Sequence, residues 1–424
     1  MFQSKKLTLA LLVNAALVST VYASEQSEAK GFVEGADANL HFRTGFLTRD
    51  KKQGADDTRS SGQSMMYNIE SGFTKGVIGF GAGVIGDASV GLSDNKNSGN
   101  GMVPRRNDRT PYDHWARGGA FVKARVSNTT ATYGTQVLDL PVLASNTVRL
   151  VPEYFEGLLV TSNEIENLTL TAGKFTKNQY SSDMSSDEQR LDRAIVWGAK
   201  YNFNDDLNAS YYGVDIKDKL DRHYANVNYT HGLKDDASLT FDFSGYHTDF
   251  EPGTTYSATV TDPNTQKTQN SIWAVSTSYS KDVHNVSLAY QQNSGNVGYD
   301  YGGNGDGYQS IYLPNSYLSD FVGNDEKSLG LMYNYGFKNH GLPGLSWTTA
   351  FVYGWDIDVG TNQEAQEREF FNQVKYTVQS GAMKDVSLRL RHSYLRASDN
   401  YQANVYMGDI NEWRIWLDIP VKLF

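Results

Sequence analysis

The sequence lacks cysteine altogether and, beyond its first residues, it lacks long apolar runs. Without cysteine the protein has no disulfides, no cysteine-ligated zinc, no iron–sulfur cluster and no thiol nucleophile. A mean hydropathy of −0.51 excludes a helical membrane protein, because each helical span needs about 20 consecutive apolar residues. Basic residues are outnumbered, and the net charge of −10 argues against a nucleic-acid partner, which calls for a basic face.

What is present points to β-structure. The chain of 424 residues contains 39 Gly, 27 Tyr, 19 Phe and 7 Trp, and 39% of it is hydrophobic, which is too much for a disordered chain. These properties leave two main classes. One is a soluble β protein, and the other is a membrane β-barrel whose alternating pattern hides the apolar residues from a hydropathy average.

Residues 1–23 are predicted to be a secretory signal peptide. Two lysines lie within Met1–Lys6, a short apolar core covers Leu7–Val21, and Val21 and Ala23 occupy the two positions that a signal peptidase reads. A buried core helix is the alternative, and the segment is too short and wrongly flanked for a membrane anchor. Cleavage after Ala23 leaves residues 24–424, which we expect to form one domain outside the cytoplasm.

The last segment of the chain has the clearest β pattern. In Asn411–Phe424 the odd positions are almost all aliphatic or aromatic, whereas the even positions carry most of the charges. Period two over this length fits a tilted strand that spans a bilayer, and an ordinary soluble strand is about half as long. Gly118–Val126 and Val386–Tyr394 alternate in the same way.

Connections between such segments alternate between short turns and long, polar, glycine-rich loops. Eighteen candidate strands are counted, the first over 33–47 and the last over 409–423, and about 16 is the alternative count. The sequence therefore predicts an all-β fold, an 18-stranded antiparallel transmembrane β-barrel with short periplasmic turns and long extracellular loops. A barrel of this size leaves an aqueous channel rather than a filled core. Many tyrosines and tryptophans lie at strand ends, which favours interfacial girdles over mere strand propensity.

Strand parity predicts which charges face the channel, because a cation facing lipid at the midplane would cost about 2–4 kcal/mol. The inward cations identified in this way are Arg43, Lys123, Arg125, Lys375, Arg389, Arg391 and Arg414. In a closed barrel the last strand neighbours the first, so most of these cations lie on consecutive strands. The alternative is a water-filled lumen that simply tolerates charges of both signs. A row of positive charges alone, on a protein that is acidic overall, favours a functional role instead. Guanidinium groups attract carboxylates and bind them through two parallel hydrogen bonds.

No motif indicates catalysis, a metal or a cofactor. Gly81, Gly83 and Gly86 match a G-x-G-x-x-G pattern, but they open no helix and fit a glycine-rich wall strand better. Asp300 and Asp306 flank a glycine-rich segment that lacks the spaced ligands of a calcium loop. We therefore predict no cofactor, no metal site and no catalytic residue, with a Ser/His site assembled only by the fold as the alternative.

Short blocks recur in order along the mature chain. They include Gly31-Phe-Val-Glu34, Leu40-His-Phe-Arg43, Glu70-Ser-Gly-Phe-Thr74, Lys123-Ala-Arg125-Val-Ser-Asn128, Leu140-Pro-Val-Leu-Ala-Ser145, Arg149-Leu-Val-Pro152, Asn324-Asp-Glu-Lys-Ser328, Gly341-Leu-Pro-Gly-Leu345 and Lys375-Tyr-Thr-Val-Gln-Ser-Gly381. Each block is short, but together and in this order they resemble the OprD family of substrate-specific outer-membrane carboxylate channels.

The resemblance implies a monomeric barrel in which two outer loops fold inward as constriction loops. The third outer loop, L3 (residues 138–153), would place Arg149 at the constriction, and the seventh, L7 (residues 293–325), would bring Asp320 to the opposite side. It also implies a basic ladder, formed here by the cations already found by parity. Lys174 has outward parity unless Gly173 introduces a bulge.

These observations predict an outer-membrane channel for the passive uptake of small carboxylates, such as amino acids or aromatic acids like benzoate, and we hypothesise a small monocarboxylate. The alternatives are a general diffusion porin, an adhesin and an outer-membrane hydrolase, and the last would need a narrow, filled barrel. The expected partners are carboxylate substrates, outer-membrane lipid and lipopolysaccharide. Arg105, Arg106 and Arg109 in the second outer loop form either an anion funnel, a lipopolysaccharide contact or a solvated loop.

Overall fold

The computed structural model describes residues 24–52, 55–93, 100–188, 190–251, 268–301, 311–360, 362–404 and 408–424. The predicted signal peptide lies outside these residues. The strands are β1 (Asp37–Lys51), β2 (Thr58–Glu70), β3 (Ile78–Gly91), β4 (His114–Val126), β5 (Thr129–Gln136), β6 (Asp139–Leu140), β7 (Leu143–Ala144), β8 (Tyr154–Ile165), β9 (Leu168–Gln179), β10 (Ala194–Asn202), β11 (Leu207–Ile216), β12 (Leu220–Gly232), β13 (Ser238–Phe250), β14 (Thr268–Lys281), β15 (His284–Gly295), β16 (Lys327–Gly336), β17 (Leu345–Ile357), β18 (Ala365–Thr377), β19 (Ser387–Ala397) and β20 (Ile410–Lys422). A 3-10 turn at Lys338–His340 and the helix α1 at Asp399–Asn404 lie in connections. No helix in the described ranges is long and apolar enough to cross a membrane.

Eighteen of these strands form one closed antiparallel sheet. Closure occurs between the ends of the chain, because β1 pairs with β2 on one side and with β20 on the other. The two short strands β6 and β7 pair only with each other, within L3. The predicted all-β, 18-stranded antiparallel barrel is confirmed, and the alternative count of about 16 is wrong.

The first strand begins later than predicted, since residues 24–36 form turns beneath the wall instead of a strand. The backbone there is closely packed: a Cβ on Gly72 would lie 2.2 Å from the carbonyl oxygen of Gly31, which itself has a φ of +129°. Only glycine permits this contact. The buried Gln26 amide fixes the same segment by donating to the carbonyls of Thr74 and Gly76, at 2.9 and 3.1 Å.

The two faces of the wall alternate in polarity. On β20, Trp413 and Ile415 are exposed on the outside, whereas Glu412, Arg414 and Trp416 are buried inside. The outer face of the barrel is therefore an apolar belt, and the inner face is polar. This arrangement explains how a chain of low mean hydropathy can span a membrane.

Two apolar clusters pack loop residues against the inner wall in the outer half of the barrel. In the first, Leu143 of L3 and Val322 of L7 pack with wall residues that include Tyr246 on β13. In the second, Leu150 of L3 packs with Leu47 on β1, and Trp416 on β20 belongs to the same cluster. L3 thus crosses the barrel interior from one wall to the other, and this crossing positions the site.

Candidate functional site

The predicted cations of the final strands lie side by side on the inner wall. In the strand register Lys375 on β18 is opposite Arg389 on β19, and Arg391 is opposite Arg414 on β20. Arg43 on β1 is opposite Asp418 of β20. The structure therefore places five of the predicted ladder cations on four consecutive strands, as parity required.

Arg43 is neutralised and also supports L3. Its Nε donates to Asp418 at 2.7 Å, and the same carboxylate is 2.8 Å from His41 Nε2. Its Nη1 donates to the backbone carbonyls of Thr147 and Arg149, at 3.3 and 3.0 Å. One guanidinium thus joins the closing strand pair to the inner part of L3.

Arg414 and Arg391 bind different kinds of partner, a carboxylate and a loop carbonyl respectively. Arg414 and Arg49 both donate to the buried Glu412, with an Arg49 Nε to Glu412 Oε2 distance of 2.7 Å. Arg391 donates to the carbonyl of Tyr317 in L7, and its guanidinium lies 4.7 Å from the ring centre of Phe371. Arg414 is therefore compensated by a carboxylate, whereas Arg391 anchors a loop.

Lys375 and Arg389 differ from the other members of the row. Lys375 is exposed and Arg389 is partly exposed. Within the described part of the chain, neither makes an ion pair or a hydrogen bond through its side chain. These two cations are therefore uncompensated in the sense that neither a direct ion pair nor a loop contact engages them, while Asp418 attracts Arg389 at longer range.

Lys123 and Arg125 lie on β4 near the periplasmic mouth and have acidic partners. Lys123 Nζ is 2.6 Å from Glu70, and Arg125 Nη1 is 3.5 Å from Glu25. Both cations also lie over the ring of Phe73, at 4.7 and 4.1 Å from its centre. Residues 24–36 thus cover this end of the predicted ladder.

Lys174 points outward. It is exposed and pairs in register with Leu158 and Ile195, whose side chains belong to the outer face. A register shift does occur between β8 and β9, but it falls after Lys174, where Thr176 is skipped. The bulge that would have turned Lys174 inward therefore lies too far along the strand to do so.

L3 is held at its end by a buried ion pair that sequence reasoning missed. Arg117 on β4 and Asp87 on β3 are 3.0 Å apart, with both side chains fully buried. Arg117 also donates to the carbonyls of Pro152 and Tyr180, at 2.7 and 2.5 Å. The sequence does contain a signal for Arg117, because it has the same inward parity as Lys123 on the same strand.

Glu153 ends L3 as a buried acid. It accepts hydrogen bonds from the backbone of Asn146 at 2.9 Å and from the side chain of Asn178. Burial raises the pKa of the Glu153 carboxyl to about 8, because desolvation outweighs these hydrogen bonds. The carboxyl is therefore largely neutral near neutral pH.

The Arg149 side chain is buried against the second outer loop. Only 5% of Arg149 is exposed, and a Cβ added to Gly101 would lie 3.1 Å from its Nε. Its neighbours Thr147 and Val148 are exposed. At this part of L3 the groups that reach the open space are therefore the backbone and these two small side chains, with the Arg149 carbonyl turned to Arg43.

L7 is anchored by charged residues of the wall. Fully buried Arg222 on β12 donates to the Tyr299 hydroxyl at 3.0 Å, and its guanidinium is 4.3 Å from the Tyr299 ring centre. Glu369 on β18 accepts hydrogen bonds from the backbone of Leu318 and Ser319 at 3.0 Å. These anchors fix L7 at both ends of its course through the lumen.

Asp320 lies inside this loop network, with 7% of the residue exposed. Its carboxylate accepts hydrogen bonds from Tyr301 and Ser316, and Gln291 on β15 donates to its carbonyl at 2.9 Å. Asp320 therefore organises the inner turn of L7.

L3 and L7 meet each other as well as the wall. The Tyr312 hydroxyl of L7 donates to Asp139 of L3, and the Tyr246 hydroxyl of β13 donates to the Pro141 carbonyl at 3.1 Å. L3 also reaches β1 at Arg43, and L7 reaches β19 at Arg391. The passage left between these contacts is therefore bounded by the inner wall of β18, β19, β20 and β1, the basic wall, which carries the row of predicted cations. Among the described side chains, no group of three could ligate a metal ion.

A closed, hollow barrel with an apolar outer belt and loops folded into a polar lumen defines a channel of the outer-membrane β-barrel class. The family model described as outer membrane porin, OprD family, matches residues 30–423. Porin D of Pseudomonas aeruginosa is 34% identical over 436 aligned residues, which cover 96% of this chain and 95% of porin D.

Solved structures of porins have the same fold as this chain. OccAB1 of Acinetobacter baumannii is 65% identical, with a TM-score of 0.92 over 95% of this chain and 100% of that chain. OccK2 (OpdF) of Pseudomonas aeruginosa, solved in complex with glucuronate, is 26% identical, with a TM-score of 0.78 over 93% of this chain and 100% of that chain. The chain belongs to the OprD family of outer membrane porins. It is a substrate-specific porin of the outer membrane, and its family and barrel fold indicate a channel rather than an enzyme.

Proposed function

We propose that this porin mediates the passive uptake of small carboxylates, and that the basic wall of β18, β19, β20 and β1 attracts and conducts them. The observation that carries the proposal is the uncompensated pair Lys375 and Arg389, which lie opposite each other in the register of adjacent strands. Arg43 and Arg391, which hold L3 and L7, then set the width of the passage beside this pair.

The chemistry of the wall suits carboxylates. Arg389 can present two parallel donors to a carboxylate, and Lys375 offers a mobile point charge nearer the periplasmic end. Low-dielectric walls concentrate the field of uncompensated charges and raise the local concentration of anions. Successive sites of moderate strength let an anion pass on without being trapped.

A relative supports the substrate class. OccK2 was crystallised in complex with glucuronate, a sugar acid with a single carboxylate. For this chain we propose a small monocarboxylate as the preferred substrate. Thr147 and Val148 of L3, next to Arg43, and Tyr312 of L7, which lies against Tyr224 and Tyr246, would select its size. L3 and L7 would act as the constriction loops, with Asp320 and the carbonyl of Arg149 setting their shape.

We also infer that the porin acts as a monomer, because one barrel contains the whole proposed pathway. Arg105 and Arg106 in the second outer loop donate to loop carbonyls at 2.6 Å, so their first role is to fold that loop. A general diffusion porin is the competing function, and it predicts weak dependence on any single cation of the wall.

The test measures reversal potentials across a planar bilayer under a salt gradient for the wild type and the double variant Lys375→Gln, Arg389→Gln. One cation attracts an anion about 4 Å away by about 1 kcal/mol in water. We therefore expect the anion-to-cation permeability ratio to fall about fivefold. Addition of benzoate, glycine or arginine then shows which class blocks the wild-type current.

The matched control is Lys200→Gln. Lys200 is also an exposed, inward cation, but it lies on β10, across the barrel from β19 in strand order. We expect it to change selectivity much less than the double variant. Equal effects of the two changes, or no effect of either, would leave a general diffusion porin as the better description.

A further inference from the structure

The outer face of the barrel carries a groove that the channel does not use. The groove has a volume of about 630 Å3, and its walls include Leu288, Leu329, Leu331, Phe351, Tyr353 and Trp355. Register places Leu331 opposite Phe351 deeper in the wall and Lys327 opposite Trp355 at the extracellular end of β16. The groove therefore runs up the lipid-facing wall toward the outer surface.

The upper part of the groove lies at the membrane–water interface. Tyr353 and Trp355 stack with ring centres 5.8 Å apart, and Tyr290 lies 6.4 Å from Trp355. Such aromatic groups mark the headgroup level of a bilayer. The Tyr353 hydroxyl donates to Gln366 at 2.9 Å, which joins the groove to β18.

Two arginines face outward directly beside this part of the groove. Arg368 on β18 is opposite Tyr353 on one side and opposite Arg396 of β19 on the other. Like charges directly opposite on neighbouring strands repel each other. Asp409 already balances part of the Arg396 charge, and an anion bound at Arg368 would relieve the repulsion that remains.

The two arginines differ in how they are held. Arg396 is fixed, because its guanidinium lies 3.6 Å from the Tyr394 ring centre, donates to Asn411 at 2.9 Å and pairs with Asp409, with an Nε to Oδ2 distance of 3.8 Å. Arg368 is exposed and makes no side-chain hydrogen bond or ion pair with any residue that the structure describes. Lys327, at the top of the groove, is already bonded to Asp356 at 2.7 Å. Arg368 is therefore the cation available to a ligand.

We infer that this groove binds an acyl chain of lipid A, with one of its phosphate monoesters held by Arg368 and Arg396. The wall faces the bilayer, so acyl chains are the apolar groups that surround it, and the long loops place the arginines in the outer leaflet. Two adjacent guanidinium groups suit a phosphate monoester, which carries more charge and more free oxygens than the phosphodiester of phosphatidylglycerol. A second copy of the chain could occupy the groove only if it presented a convex apolar ridge to the groove and a carboxylate to the two arginines above it.

The test uses the full-length mature porin in detergent and counts bound lipid A by native mass spectrometry during a titration. Loss of one charge-assisted contact to phosphate should weaken binding about tenfold in the Arg368→Gln variant. The control is Arg59→Gln, since Arg59 is also exposed and unbonded among the described residues but lies on β2, away from the groove. Single-channel conductance of both variants should match the wild type, which shows that the barrel is intact.

A second variant and a second lipid complete the experiment. Leu331→Trp should fill the groove and weaken binding of lipid A, whereas phosphatidylglycerol should bind the wild type more weakly than lipid A does. Equal loss in Arg368→Gln and Arg59→Gln, or equal affinity for the two lipids, would overturn the inference. So would a dimer of the wild type that Leu331→Trp converts to a monomer, because the groove would then be a contact between copies.

Discussion

At the scale of single residues, the interior cations are divided by whether a carboxylate accompanies them. Arg43, Lys123 and Arg414 each have an acidic partner inside the barrel, whereas Lys375 and Arg389 make no direct ion pair with any described residue. Asp418 attracts Arg389 only at longer range. The number of basic residues on the wall therefore overestimates the positive electrostatic field inside the channel. The charge that an anion meets depends on the few side chains that the carboxylates leave uncompensated.

Removal of a compensating carboxylate should have the opposite effect to removal of a ladder cation. In Asp418→Asn the charge of Arg43 is no longer balanced, while Arg43 still donates to the carbonyls of L3. We expect a clear rise in anion preference, measured as a reversal potential under a salt gradient. Asp242→Asn, an equal change of charge on β13 beside Asn226 and Asn228, is the control and should have a smaller effect.

An unchanged or reduced anion preference in Asp418→Asn would count against Arg43 as part of the conducting wall. The conductance of both variants should be recorded alongside, because a large change would mean that L3 had moved.

At the scale of elements, the two inner loops are held by polar side chains that project from strands. Arg117 holds the end of L3, Arg222 and Glu369 hold L7, and Arg43 and Arg391 tie both loops to the basic wall. Each anchor pairs a charged side chain with backbone groups that would otherwise be buried without partners. Loss of one partner of this kind costs about 1–3 kcal/mol, so the anchored segments of both loops are held firmly against the wall.

The position of L3 should depend on pH through Glu153. The pKa of this buried carboxyl is raised from 4.5 to about 8, so the folded position of L3 favours the neutral form. The stabilising effect is complete below about 4.5 and is lost as the pH rises through about 8. We expect more frequent closing events and current noise at pH 8.5 than at pH 5 in single-channel recordings, on the order of several-fold.

The variant Glu153→Gln carries a side chain that is neutral at every pH, and it should abolish most of this dependence. Glu156→Gln is the matched control, because Glu156 lies three residues further along, at the start of β8, and is ion-paired with Lys177 at 2.8 Å. Its recordings should follow the wild type. A pH response that survives in Glu153→Gln would assign the effect to another group.

At the scale of the whole molecule, an acidic protein with a net charge of −10 presents one basic sector to its lumen. The sector exists because β20 closes on β1 and brings the two ends of the chain together. Long-range attraction of anions by this sector competes with the negative charge elsewhere on the barrel. The balance between these fields must therefore depend on ionic strength.

Anion selectivity should fall as salt increases. The screening length shrinks from about 10 Å at 0.1 M to about 3 Å at 1 M, so the field of Lys375 and Arg389 reaches less of the passage. Reversal potentials measured at a fixed concentration ratio should show a loss of most of the preference over this range. The Lys375→Gln, Arg389→Gln variant should already be weakly selective at low salt, and an equally steep salt dependence in that variant would point to charges outside the wall.

The sequence by itself determined the barrel and the inward side of the basic residues, and it limited the strand number to 18 or about 16, between which the structure decided. Alternation with period two is a local property, since each side chain's face follows from its neighbours along one strand. It also suffices to place Arg389 and Arg391 on one face and Leu388 and Leu390 on the other. The resemblance of short blocks to the OprD family pointed to the same architecture, and the family assignment is confirmed.

Only the tertiary structure decided which of these cations are free and how the loops cross the lumen. The Arg43–Asp418 pair joins residues 375 positions apart, and the Arg117–Pro152 contact depends on the path of L3. Neither is encoded in a local pattern, because both require the register of closed strands and the packing of loops within them. For the same reason only contacts and register could show that the Arg149 side chain is buried and that no bulge at Gly173 overturns the outward parity of Lys174.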